Sequence, residues 1–197
     1  MLMLIGIIVV VLIVALVAFI RTRPDRFRVE RSALIHAPAD VVFSMINDFH
    51  QWGRWSPYEK LDPNMTKRFE GPPSGPGAVY AWSGNSKAGE GRMTILESRP
   101  GEHVSLRLEF FKPFAATNQA TFTLVASEKE TQVTWSMEGE NSVMGKAMSA
   151  FLDMDALLGK EFEAGLANLD TAVQAESAKP ELEARAPSLQ VVPAVAH

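Results

Sequence analysis

The hydrophobic pattern divides the chain into three unlike parts. From Met1 to Ile20 every side chain is uncharged and Gly6 is the single glycine. At about 1.5 Å per residue such a helix reaches roughly 30 Å, the depth of a bilayer core. From Phe27 to about Ala175 apolar and polar positions alternate or recur with helical spacing. Beyond that, the Ala- and Pro-rich tail has no sustained period, which predicts disorder over 176–197.

Within the middle part, Phe27–His36 is predicted to be a strand. Pro38 then opens a short helix near Ala39–Asn47, with Val42, Phe43 and Ile46 on one face. The segment HQWGRWSPYEKLDP is an aromatic, turn-rich loop. A short strand near Met65–Glu70 leads to GPPSGPG (71–77), a turn. Clear two-residue alternation follows. Tyr80 pairs with Trp82, and Met93 with Ile95. Val104, Leu106, Leu108 and Phe110 oppose Ser105, Arg107 and Glu109, while Phe122 and Leu124 oppose Thr121 and Thr123. Val133, Trp135 and Met137 oppose Thr134, Ser136 and Glu138. One apolar face per strand and short connections predict an antiparallel meander covered on one side. The cover is the helical segment Val143–Val173, expected to kink or divide at Gly159. The element order is that of an α+β domain with a curved sheet wrapped around one long helix. Residues 27–175 make one such domain.

Charge refines the picture of the N-terminus. Arg21, Arg23, Arg26, Arg28 and Arg31, against Asp25 and Glu30, give residues 21–31 a charge of +3. The whole chain carries −4, so the remainder carries −7. A cleaved signal peptide is the competing assignment for 1–20. It would want a basic start and small residues at a cleavage site, and Ala15-Leu16-Val17-Ala18 supplies neither. An uncleaved single-pass anchor (1–20) with a basic linker (21–26) is therefore expected. The positive-inside rule then puts the domain on the cytoplasmic side. Some of these arginines equally fit the solvent face of the first strand, or contact with anionic headgroups. An acidic domain is a poor nucleic-acid partner. The absence of cysteine removes disulfides, thiolate catalysis and Cys-type zinc sites.

Four stretches carry a family resemblance: ERSALIHAPADVVFSMINDFHQWGRWSPY (30–58), GAVYAWSGN (77–85), GEGRMTI (89–95) and FLDMDALLGKEFEAGLANL (151–169). They resemble the START-like, helix-grip superfamily, in particular the polyketide cyclase/dehydrase and lipid-transport type also called SRPBCC. Tyr58 stands where a second tryptophan is expected, which would alter the pocket mouth, and Asp170 where a lysine is usual. The resemblance implies a cavity between sheet and helix. Trp82, Met93, Leu108, Phe110, Phe122, Trp135 and Met137 would line it from the sheet. Met144, Met148, Phe151, Leu158 and Phe162 would line it from the helix. The same residues equally suit a filled core. Trp52 and Trp55 fit a lid, packing beneath the loop, or contact with the bilayer.

Asp155 is the anomaly. It falls in phase with Phe151, Leu158, Phe162, Leu166, Leu169 and Val173, and an unpaired buried carboxylate costs several kcal/mol. Three roles fit it: a hydrogen bond pinning loop 50–58 to the helix, a polar anchor for a ligand, or exposure at a kink. Its expected donors are the indoles of Trp52, Trp55 or Trp82, the Tyr58 hydroxyl, or Arg54.

Catalytic machinery is sparse. His36, His50, His103 and His197 are scattered, no G-x-S-x-G elbow occurs, and the prolines of GPPSGPG cannot supply a phosphate cradle. Glu90 and Arg92 fall out of phase with Met93. No cofactor and no metal are expected. The expected activity is membrane-anchored binding, with transport as one use of it, of a hydrophobic small molecule such as a lipid, isoprenoid or polyketide-like compound. A cyclase or dehydratase using Asp155 and a protein-interaction module are the alternatives, with any protein partner unspecified.

Overall fold

The computed structural model describes the backbone of residues 2–141, 145–147 and 153–185, with side chains from 3 and as far as 177 within those spans. Helix α1 (Leu2–Arg21) is wholly apolar until its last residue. Its stretch Met3–Arg21 has a mean hydropathy of 3.5 and none of it is buried. By length and composition it fits either a membrane anchor or a signal sequence.

Seven strands follow: β1 (Arg26–Ile35), β2 (Thr66–Glu70), β3 (Val79–Ser83), β4 (Glu90–Arg99), β5 (His103–Lys112), β6 (Ala116–Ala126) and β7 (Thr131–Glu140). They form one curved antiparallel sheet in the order β1-β7-β6-β5-β4-β3-β2. The two-residue alternation sets the register, because a slip by one residue would turn every apolar side chain outward. Val104, Leu106, Phe122, Val133 and Trp135 accordingly share the covered face and are buried.

Helix α2 (Ala39–Asn47) buries Val42, Met45 and Ile46, and Phe43 packs half-buried against the same core. The aromatic loop forms two 3-10 turns, Phe49–Arg54 and Pro57–Lys60. Helix α3 (Met154–Arg185) lies chiefly along β1, with α2 and both 3-10 turns also against it.

Two expectations about this helix change. Residues 145–147 are helical, but α3 itself starts at Met154, where Asp153 accepts a hydrogen bond from the Ala156 N–H at 3.0 Å. The helix boundary is therefore set by an acidic cap, and α3 runs unbroken through Gly159. At its other end α3 continues to Arg185, into the stretch read from sequence as tail. That stretch is rich in Ala, Glu and Lys, good helix formers that need no apolar period. Residues 186–197 lie outside the described residues.

Candidate functional site

The site is built on the loop that follows α2. The last turn of any helix leaves carbonyls without intrahelical donors. Here two indoles supply them: Trp52 Nε1 donates to the Ile46 carbonyl at 2.9 Å, and Trp55 Nε1 to that of Met45 at 3.2 Å. Both rings are buried, packed on each other at 4.7 Å and edge-on to Phe122. Neither is a lid. The far side of the loop is tied to α3, where Asn168 Nδ2 donates to the Trp55 carbonyl at 3.1 Å. Arg54 donates to the Ala172 carbonyl at 3.3 Å and pairs with Glu176 at 2.8 Å. The pinning role considered for Asp155 thus falls to Asn168 and Arg54.

With the loop fixed in this way, a pocket of about 270 Å³ remains between it, the sheet and the first turns of α3. Trp82, Met93, Leu108, Phe110, Trp135 and Met137 face it from the sheet, Trp52 and Tyr58 from the loop, and Leu158 and Phe162 from α3. Trp55 and Phe122 do not line it; they are buried in the core behind it. Met144, Met148 and Phe151 lie outside the described residues. Sequence reasoning missed Glu59, Leu61, Met65, Tyr80 and Lys87. Tyr80 shares a face with Trp82 by simple alternation and was within reach of that signal. Glu59, Leu61 and Lys87 sit on turns, where no period operates, and Met65 lies just ahead of β2.

Trp135 is held flat against Phe162, with ring centroids 4.3 Å apart and planes 6° from parallel. Gly165 makes room for it, since a Cβ there would stand 2.6 Å from Trp135 Cζ3. Three of the four indole N–H groups have partners, that of Trp82 being the Ala88 carbonyl at 3.0 Å. The fourth, Trp135 Nε1, is buried with no hydrogen-bond partner among the described residues. Leaving a buried donor unmet costs on the order of 1–3 kcal/mol.

One wall is polar. The Tyr80 hydroxyl donates to Glu59 Oε1 at 2.6 Å, and Lys67 pairs with the other carboxylate oxygen. Burial, then the bond to Glu59, pushes the Tyr80 hydroxyl above its ordinary value. Burial, then the nearby Glu161 charge, does the same to Tyr58. Both phenols therefore remain protonated near neutral pH.

Residues 26–174 match the family model described as polyketide cyclase / dehydrase and lipid transport. The chain belongs to that family. Solved structures agree on the fold. A Thermobifida fusca protein is 20% identical, covering 74% of this chain and 92% of its own, with a TM-score of 0.56. A Chromobacterium violaceum protein is 15% identical over 77% of this chain and 98% of its own, at 0.54. The Aha1 dimer from Colwellia psychrerythraea is 14% identical over 75% and 96%, at 0.53. No curated protein matches the chain.

In this family member Asp155 stands apart from the pocket. Its side chain is 60% exposed and grips Arg31, with Nη2–Oδ2 at 2.9 Å and Nη1–Oδ1 at 3.2 Å. Arg31 Nε also bonds Glu163 at 2.8 Å. None of the expected donors reaches it. The helical phase was nonetheless correct. Arg31 lies opposite Trp135 in the β1–β7 register, hence on the covered face, but on the edge strand. Asp155 points at the sheet and meets an arginine at its rim. That hydrogen bond holds its carboxyl below the usual carboxylate range. Gly159 explains the close approach: a Cβ there would lie 2.0 Å from Arg31 Nη2. The glycine admits the guanidinium and leaves the helix straight. Asp170, the other departure, accepts from the His36 backbone N–H at 2.7 Å and from Gln174 at 2.9 Å, closing the far end of β1 onto α3.

Proposed function

We propose that this domain binds one hydrophobic small molecule, such as an isoprenoid, a single-chain lipid or a polyketide-like compound. The observation that carries this is an apolar pocket between the sheet, the loop and α3, walled by Leu108, Phe110, Met137 and Phe162. The apolar body of the guest would cover Leu108, Phe110 and Met137. Ligand sites usually measure about 300–1,000 Å³. At about 270 Å³ this one suits a single chain or a few rings better than a two-chain lipid. With α1 as a single-pass anchor, the guest would be drawn from the bilayer nearby, the domain lying on the cytoplasmic side as the flanking arginines favour.

Binding fits this geometry better than turnover. A cyclase or dehydratase needs a positioned, tuned acid–base pair. Asp155 is exposed, ionised and engaged by Arg31. Among the described residues the carboxylate at the pocket wall is Glu59, which is already occupied by Tyr80 and Lys67. Native mass spectrometry of the detergent-extracted protein is the test. One unmodified small molecule per chain is expected. A bare chain under conditions that preserve other lipid adducts would count against binding, and recovery of a converted product would favour the enzyme.

A further inference from the structure

The antiparallel registers place particular chain segments along one end of the sheet. Arg26 lies opposite Glu140, and Gly139 opposite Asn118. Ala116 lies opposite Phe110, Lys112 opposite Glu90, and Ser83 opposite both Glu90 and Thr66. The entry to β1, the β3–β4 tip (84–89) and the β5–β6 tip (113–115) therefore share that end. The tips at 100–102 and 127–130 lie at the opposite end.

The first end is also where α1 joins. Residues 22–25 link α1 to β1 and span at most about 14 Å, at ~3.6 Å per residue. This link is not loose. The Asn141 N–H donates to the Asp25 carbonyl at 2.8 Å, and Asn141 Nδ2 to that of Pro24 at 3.0 Å. Lys146 pairs with the Asp25 carboxylate. The end exposes two aromatics, Phe111 at 48% and Phe114 at 55%. Arg21, Arg26 and Lys87 are exposed at the same end, together with the acids Asp25 and Glu140. Phe110, next to Phe111, lines the pocket, as do Lys87 and Ala88 of the neighbouring tip.

We infer that this end of the sheet docks on the bilayer that holds α1, with Phe111 and Phe114 entering the interfacial layer and the basic residues meeting anionic headgroups. The pocket then adjoins the lipid from which its guest comes. Two phenylalanines bind a membrane weakly alone, but a short tether supplies a high effective concentration, so a weak surface suffices. The inference rests on α1 being a retained anchor, and the test separates the two.

The chain has no cysteine, so Ala115→Cys and Glu128→Cys each provide a unique labelling site, at the docking end and the far end respectively. Both full-length variants are reconstituted in phosphatidylcholine–phosphatidylglycerol vesicles and labelled with an environment-sensitive dye. At 115, blue-shifted emission and several-fold stronger quenching by headgroup-spin-labelled lipid than at 128 are expected. Equal, water-like signals from vesicles that retain the protein through an alkaline wash would overturn docking and leave the anchor standing. Protein that washes off, or whose intact mass lacks the first 20 residues, would remove the anchor and the docking inference with it.

Discussion

The two halves of the space between sheet and α3 are built to different rules. Towards the C-terminal half, Leu166, Leu169 and Val173 meet Val42, Ile46 and the sheet in solid contact, each at or below 1% exposure. Towards the start of α3, Leu158, Leu108, Phe110 and Trp82 stay half-buried around an opening. The stacked Trp135–Phe162 pair marks the border. Aliphatic side chains fill the solid half, whereas bulky aromatics and methionines surround the open one. The aromatic loop, held on α2 and α3 by Trp52, Trp55, Asn168 and Arg54, forms one wall of the opening. One half supplies stability and the other supplies room.

The comparison is easiest to break with matched truncations. Leu169→Ala leaves a void in the solid half and is expected to cost about 2–5 kcal/mol. Leu108→Ala only widens an existing space and should cost about 1 kcal/mol. Urea unfolding of the detergent-solubilised protein measures both, and equal losses would mean that the halves do not differ. Next in size is a pair of helical glycines. Gly165→Ala forces a methyl into Trp135, which the stack on Phe162 holds in place, so a loss of about 1–3 kcal/mol is expected. Gly159→Ala meets the mobile tip of Arg31. Lost pairing and gained helix propensity should nearly cancel, within about 0.5 kcal/mol. Thermal unfolding of the two variants separates a clamp at the core from one at the rim.

The smallest effect is in acid. Asp155 is held below its ordinary value of 3.8 by the hydrogen bond from Arg31. Burial pushes Asp170 up, but bonds from His36 and Gln174 outweigh that, and it too sits below 3.8. A carboxyl lowered by folding stabilises the fold fully above its unfolded value, and that stabilisation fades as pH falls through the lowered one. Stability should therefore slope downward below about pH 3.8. In Arg31→Ala the slope should be shallower, and in Leu108→Ala it should be unchanged. An identical slope in all three would remove the rim clamp from the account.

Much of this was legible in the chain. Two-residue alternation located the strands and the covered face, and helical phase correctly turned Asp155 towards the sheet. What the pattern could not carry was which strand Asp155 would meet. Sheet order depends on pairing between β1 and β7, about a hundred residues apart, and only that pairing brings Arg31 beneath α3. Gly159 misled for the same reason: it looks like a weak point of an isolated helix, whereas it is, like Gly165, a clearance for a side chain from a distant strand. Of the roles open to Trp52 and Trp55, packing beneath the loop holds, and their N–H groups complete the end of α2. The stranded donor at Trp135 emerges only when every other indole has its partner assigned.

Xenon offers the most direct measurement, because it enters dry apolar hollows and leaves packed cores empty. In crystals held under xenon pressure, a bound atom is expected between Leu108, Phe110, Trp135 and Phe162, with none between Leu169 and Ile46. No xenon in the first region, with its side chains closed into contact, would contradict a ligand-sized space in this domain.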